Sequence, residues 1–593
     1  MRTIRSETRT KAGRYPAPMA KRKDGLTRAE FLKAAAIAAA GAYGVGGSAV
    51  ARDKGSGNRD QASRPETPAS DEMNAQEAEK PELSVTIDDL KGFAKVAGLT
   101  FTDAQLAKVQ DGIDDSLAGY AALTKDAANY ELFPPSPFRV FGAENLKSSK
   151  VKVQILKRSL KRPESDEDLA FLTVAELGHL LQTRQVTSVQ LTELALSRLR
   201  RYGPELVCVA ALTEDLALNT ARLADREIDQ GRIRGPLHGI PCGVKDLFAT
   251  RGYPTQWGTE AFRGQVIDHD SAVVERLDRA GAVLCAKLSL GALAMDDNWY
   301  GGRTKNPWKP TQGSSGSSAG SAASVAAGLL PFAVGTETSG SIVSPSHRCR
   351  VTGLRPTFGS ISRFGAMALC WTLDKVGVLA HTAEDAALVF QALVGYDERD
   401  VSTLKRPFEY RVLNDLRGVR IGVVGKPLAN AQDALKDLGA KLTAVKPPEM
   451  NPGLWLILSV ESAAMFDQIL RNGRLDLVKE NGWPDFWRAA RFIPAVEYAQ
   501  AERVRTLLMR DFERAFGKSD CVLLANHGGD LIYPMNVAGW PQVLVPMGAD
   551  SSGEEVSVSL MARPFEEGRI LGVADLLQQR IPVYRDRPDL SKL

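Results

Sequence analysis

With 593 residues, 44% of them hydrophobic and 25% charged, the chain has the composition of an ordinary soluble globular protein, long enough for one large domain or two. Its formal net charge of +4 is unevenly placed: residues 1–51 hold ten Lys and Arg against Glu7, Asp24 and Glu30, a net of +7 that leaves −3 for the rest. A slightly acidic body excludes a phosphate-neutralising surface, which needs clustered Lys and Arg, so no nucleic-acid partner is expected.

In chain order, residues 1–51 run from a long basic stretch through Leu26-Thr27-Arg28-Ala29-Glu30-Phe31-Leu32-Lys33 to a weakly apolar Ala/Gly segment and Ala49-Val50-Ala51. This resembles a twin-arginine export signal, with Ala29 where the pattern has a second Arg, and a periplasmic location is expected, a cytoplasmic one being the alternative. The segment 34–51 is too short and too rich in Gly and Ala for stable membrane insertion. Residues 52–85 are rich in Pro, Ser, Gly, Glu and Asp and predict a disordered linker.

From Thr86 the pattern changes. Ile87, Leu90, Phe93 and Val96, then Leu106, Val109, Ile113, Leu117 and Tyr120, recur at helical spacing, with Thr102 as a cap for the second run. Residues 86–164 therefore read as a helical extension and connector, joined by a Pro-rich segment near 133–137 to a main body at 165–593. There the spacing predicts two helices within 172–200 broken at 183–188, a helix at 210–230, a short apolar strand ending on Lys245, a helix at 271–279 and a strand at 282–287. Beyond residue 383 come a helix, a strand at 419–424, a helix at 431–438, long helices through 454–516, and strands at 521–524 and 542–546. Such alternation argues for an α/β fold with a largely buried sheet.

The six cysteines (Cys208, Cys242, Cys285, Cys349, Cys370, Cys521) form no CxxC pair and the six histidines no HExxH motif. Buried thiols are expected, with no metal and no cofactor. Residues 312–345 are different: two Gly/Ser-rich loops enclose the apolar run 325–334. A flexible linker has no reason to do this, whereas glycine brings the main chain close to a ligand and serine supplies hydroxyls, the usual make-up of an anion or oxyanion site.

The chain resembles the amidase signature family in HGIPCGVKD at 238–246, NPW at 306–308, SGSSAGS at 315–321, GTETSGSI at 335–342, GLRPTFG at 353–359 and SRFG at 362–365, with weaker similarity over about 165–576. The resemblance implies an amidase-signature fold, a large mixed central sheet covered by helices on both faces, with 165–593 as the catalytic domain. It implies an amidohydrolase that cleaves a carboxamide C–N bond of a small-molecule amide through a seryl acyl-enzyme. Ser341 would be the nucleophile, Ser317 the bridging serine behind a cis peptide, Lys245 the base, and the N–H groups of Thr338, Ser339, Gly340 and Ser341 the oxyanion hole. Elementary chemistry supports the roles: a serine hydroxyl needs a base within reach. A lysine serves only when burial lowers its pKa from the solvated value of about 10.4.

The family usually carries Asp, a second Gly and Arg where this chain has Glu337, Ser339 and Val343, which leaves open whether Arg348, Arg355 or packing braces the loop. Two other readings stand beside this one. Residues 316–320 fit G-x-S-x-G, which would make Ser318 the nucleophile of an α/β-hydrolase-type esterase with His347, His381 or His527. Alternatively, the loops would hold an amide or carboxylate in a non-catalytic binding protein. A tRNA-dependent amidotransferase A subunit is a further member of the same family. Trp371 and Met295, taken alone, read as core. The sequence does not set the oligomeric state or the substrate.

Overall fold

The computed structural model describes residues 85–127 and 160–593 apart from 407 and 411. The predicted export signal, the linker up to residue 84 and the Pro-rich connector lie outside the described residues. The chain divides into two compact units, Met1–Gly92 and Phe93–Leu593. Of the first, the described part is 85–92, the start of α1 (Ile87–Val96), where Thr86 and Asp89 cap each other: Thr86 N–H donates to Asp89 Oδ2 at 3.0 Å and Asp89 N–H to Thr86 Oγ1 at 3.2 Å.

The second unit begins its helices with α2 (Asp103–Ala127), whose N-terminus has the predicted cap: Gln105 N–H donates to Thr102 Oγ1 at 3.2 Å and Thr102 N–H to Gln105 Oε1 at 3.0 Å. Then come α3 (Val174–Gln182), α4 (Ser188–Leu206), α5 (Glu214–Asp229), α6 (Ala272–Ala280), α7 (Ala319–Ala326), α8 (Val343–Cys349), α9 (Ala383–Leu393) and α10 (Ala429–Asp437). After them lie α11 (Trp455–Met465), α12 (Trp483–Ala490), α13 (Ala495–Phe516), α14 (Ile532–Ala538) and α15 (Glu567–Arg580). Asn451 Nδ2 ties α2 to the turn before α11, donating to Ala122 O at 2.9 Å and Asp126 Oδ2 at 2.8 Å.

Among the described residues eleven strands make one sheet: β1 (Val209–Leu212), β2 (Pro241–Lys245), β3 (Val283–Leu288), β4 (Phe332–Glu337), β5 (Thr352–Arg355), β6 (Lys375–Ala380), β7 (Arg420–Val424), β8 (Lys441–Ala444), β9 (Cys521–Ala525), β10 (Gln542–Ala549) and β11 (Glu555–Met561). Their order is β1-β3-β2-β4-β6-β5-β10-β11-β9-β7-β8. The sheet is mixed: β2 runs parallel to β3 and β4, and β7 parallel to β8 and β9, while the strands between pair antiparallel. Side chains alternate across a strand, and in β4 Phe332 and Val334 enter one apolar core while Ala333 enters another. Both faces are therefore covered. All six cysteines are buried with free thiols.

Three differences from the sequence reading have local causes. The run 210–230 is not one helix: residues 209–212 pair with β3 at the sheet edge, and Thr213 binds the same strand, its N–H donating to Cys285 O at 3.0 Å and its hydroxyl to Leu284 O at 2.7 Å, before α5 begins. The long helices expected at 454–516 are broken into shorter ones, with Gly473 at φ +73° and Pro494 at two of the breaks. Strands β4, β5, β6, β8 and β11 are additions to the expected set. Every residue of β6 is buried, so its sequence carries no alternation to read. Among the described residues no helix is long and apolar enough to cross a membrane.

The Gly/Ser-rich run owes its composition to close packing. Helix α7, with sequence AGSAASVA, is buried along its whole length. A Cβ on Gly320 would lie 2.4 Å from Cys208 O and 2.6 Å from Ser289 N, so only glycine lets this helix approach the main chain just before β1 and just after β3.

Candidate active site

Lys245 ends β2, and the alternation of that strand decides where it points. Val244 is in register with Lys287 of β3, and Lys245 with Leu288. Asp246, two residues after Val244, therefore shares the face of Lys287, and Lys287 Nζ lies 3.0 Å from Asp246 Oδ1 with both side chains buried. Lys245 lies on the opposite face, the one packed by α7, and its amine contacts hydroxyls. Its Nζ donates to Ser317 Oγ at 2.7 Å and to Thr336 Oγ1 at 3.0 Å. It is 0% exposed. Burial pulls its pKa from 10.5 down to about 7, against the opposing pull of Asp374 and Glu337.

Ser317 stands just before α7, after a cis Gly316-Ser317 peptide bond. Ser341 stands in the turn between β4 and α8 and is 9% exposed. The two loops touch through the backbone, where Ser318 N–H donates to Ser341 O at 3.1 Å. Lys245 and Ser317 are thus joined directly. Among the described residues the Ser341 hydroxyl has no hydrogen-bond partner, so its oxygen is unengaged. Around it, the N–H groups of Thr338, Ser339, Gly340 and Ser341 have no acceptor among the described residues. Gly340 has φ +98°, a left-handed geometry that suits glycine and turns the main chain within this run of donors.

Glu337 braces that turn. It is fully buried; its Oε2 accepts from Ile342 N–H at 2.8 Å and Val343 N–H at 3.0 Å, and its Oε1 from Arg355 Nη1 at 2.9 Å and Asn536 Nδ2 at 2.8 Å. Burial alone would raise the carboxyl's pKa, but Arg355 and these donors outweigh it and hold the pKa below its usual value. Arg355 Nη2 in turn donates to Trp540 O at 2.8 Å. Arg348, the other cation considered, is engaged elsewhere, donating to Gln312 Oε1 at 3.2 Å and lying 3.9 Å from Glu555 Oε2.

The Ser318 hydroxyl is committed to the main chain of β4: it donates to Thr336 O at 3.0 Å and accepts from Thr336 N–H at 3.2 Å. It is a strut between α7 and β4, with neither histidine nor acid bonded to it. His347 bonds instead to Ser557 Oγ at 2.8 Å.

Beside the Lys245–Ser317 pair lies a cavity of about 200 Å³, walled among others by Thr336, Thr338, Met367, Leu369, Trp371 and Asp374. Trp371, which the sequence alone assigned to the core, is 40% exposed and lines this cavity. Met295 is packed against the main core. Sequence reasoning also missed Thr336, Asn536 and Asp374. The Asp374 carboxylate accepts from Thr338 Oγ1 at 2.6 Å, from Leu369 N–H at 2.7 Å and from Cys370 N–H at 3.0 Å, so it ties the turn at 338–341 to the cavity wall. The Lys375↔Glu337 register that sets Asp374 beside the loop emerges only from strand pairing.

A family model described as Amidase matches residues 190–528. The glutamyl-tRNA(Gln) amidotransferase A subunit of Chloroflexus aurantiacus is 34% identical over 486 residues, 71% of this chain and 99% of the relative. Among solved structures, the native peptide amidase from Stenotrophomonas maltophilia superposes with a TM-score of 0.63 at 29% identity, covering 70% of this chain and 98% of that one. An amidase family protein from Bacillus anthracis does so with a TM-score of 0.65 at 28% identity, covering 72% and 94%.

Proposed function

The chain belongs to the amidase family and is a hydrolase of amide C–N bonds, and from that premise we propose that it works through a seryl acyl-enzyme, with Ser341 as nucleophile, Ser317 as relay and Lys245 as base. The observation that carries the reading is the 2.7 Å bond between a fully buried Lys245 and Ser317, where burial brings the lysine's pKa to about 7. A neutral amine can take the Ser317 proton while Ser317 takes that of Ser341, and the Ser341 oxygen adds to the carbonyl carbon. The oxygen that becomes negative is received by the N–H groups of residues 338–341, a term commonly worth several kcal/mol. Collapse breaks the C–N bond, the relay returns the proton to the departing nitrogen, and water, deprotonated by the same relay, hydrolyses the ester to release the acid.

The amidotransferase relatives favour a second reading, in which the chain works as one component of a larger enzyme. The basic-then-apolar pattern of residues 1–51 speaks for the stand-alone hydrolase and for an exported protein, since tRNA is cytoplasmic. Turnover of a simple amide by the purified chain alone separates the two. In that assay Lys245→Ala and Ser341→Ala should each lower kcat by at least about a thousandfold, whereas Ser318→Ala should keep measurable turnover. Retained activity in Lys245→Ala would sink the triad.

A further inference from the structure

Five ionisable side chains line the cavity beside the Lys245–Ser317 pair, Arg363, Asp374, Lys375, Arg399 and Asp400, and each is already engaged within the protein. Arg363 donates from Nε to Asp400 Oδ2 at 3.2 Å and from Nη2 to Ser402 Oγ at 3.0 Å. Arg399 donates to Asp397 Oδ1 at 2.9 Å and, from its two terminal nitrogens, to Glu275 at 2.8 and 2.7 Å. Asp374 has three donors, and the Lys375 amine donates to Leu373 O and, at 3.4 Å, to Asn536 O. Burial holds Lys375 well below its ordinary pKa, toward the neutral amine. What remains for a ligand is an apolar wall that includes Leu247, Met367, Leu369 and Trp371.

A substrate charge placed here would lose its water without gaining a counter-charge, and an unpaired charge in an apolar site is expensive. Size gives a second limit. An apolar cavity of about 150 Å³ holds one benzene ring, and this one is about 200 Å³. That is room to enclose a single ring or branched chain, whereas a long acyl chain would leave most of its length outside.

We infer that this cavity receives an uncharged apolar group of about one ring's size carried next to the reacting amide, so that the substrates are small neutral aryl or branched-alkyl amides. Amino-acid amides such as glutamine and long-chain amides are disfavoured. The inference rests on the seryl reading above, and the test separates the two.

The purified full chain is assayed on phenylacetamide and acetanilide, which put the ring on either side of the amide, and on glutamine and decanamide. A small fluorophosphonate reports on Ser341 in parallel. The better aryl amide should exceed glutamine and decanamide in kcat/KM by roughly a hundredfold, the scale on which pockets discriminate. Glutamine or decanamide turned over as fast as both aryl amides, or Ser341 labelled with neither aryl amide turned over, would overturn the cavity assignment and leave the nucleophile standing. No labelling and no turnover would overturn the seryl reading and this inference with it. Ala368→Phe, which fills the cavity, should lower kcat/KM for the better aryl amide at least about tenfold with labelling retained. Met367→Ala, which enlarges it, should raise the ratio of 1-naphthylacetamide to phenylacetamide turnover. Unchanged values in either variant would overturn the assignment.

Discussion

Lys245 and Lys287 stand on neighbouring strands, both 0% exposed, yet their surroundings differ in one respect. Lys287 faces the Asp246 carboxylate at 3.0 Å and is further held by Thr255 Oγ1 at 2.6 Å and Pro254 O at 3.0 Å. Lys245 faces two hydroxyls. Burial pulls both lysines down, but only Lys287 has a carboxylate in contact to resist the pull. One residue of strand alternation thus separates a structural ion pair from a candidate base. The lesson is that burial alone does not make a lysine a base; burial without a counter-ion does.

The comparison breaks most sharply if the same substitution is made at both places. Lys287→Met should destabilise the protein by about 3–5 kcal/mol, because it leaves Asp246 buried without its partner. Lys245→Met should do the reverse. Lowering a lysine's pKa from 10.5 to about 7 corresponds to about 4 kcal/mol of burial cost at neutral pH, and the two hydrogen bonds lost are worth about 1 kcal/mol each, which leaves a gain of about 1–3 kcal/mol. The sign has a pH signature. The cost is fully present below about pH 7, where the folded protein must hold a buried ammonium, and is relieved as pH rises toward 10.5, where the unfolded chain also becomes neutral. The stability advantage of Lys245→Met should therefore shrink across that range in denaturant titrations. An equal loss of stability in both variants would erase the distinction.

How much of this contrast is legible in the sequence follows from its geometry. Lys245, Ser317 and Ser341 sit inside local motifs whose order and spacing survive any rearrangement of the rest, so they can be singled out with no fold in hand. The α/β class is legible for the same kind of reason, as strands such as β2, β3 and β9 are short apolar runs between amphipathic helices. Lys287 lies in view within an expected strand, but its pairing with Asp246 depends on β2–β3 register, including a shift between Cys242 and Gly243. The brace on Glu337 is half legible: Arg355 is a candidate from the sequence, whereas Asn536, 199 residues away, is not. Strand β6 and with it Asp374 escape because a strand buried on both faces shows no period of two.

The smallest effect sharpens the comparison at the level of rate. If neutral Lys245 is the base, kcat/KM for an uncharged amide should fall about tenfold for each pH unit below its pKa and level off above about 7. The direction follows from the protonation state: acid fills the lone pair that the relay needs. Lys287 lies on the other face of the sheet and outside the proposed relay, so a folded Lys287→Met enzyme should show the same inflection even though it is the less stable protein. A profile flat from about pH 5 to 8 would remove Lys245 as the base. An inflection that moves by a full unit in Lys287→Met, with Lys245 intact, would mean that the two faces are electrostatically one site and that the alternation of β2 does not insulate them.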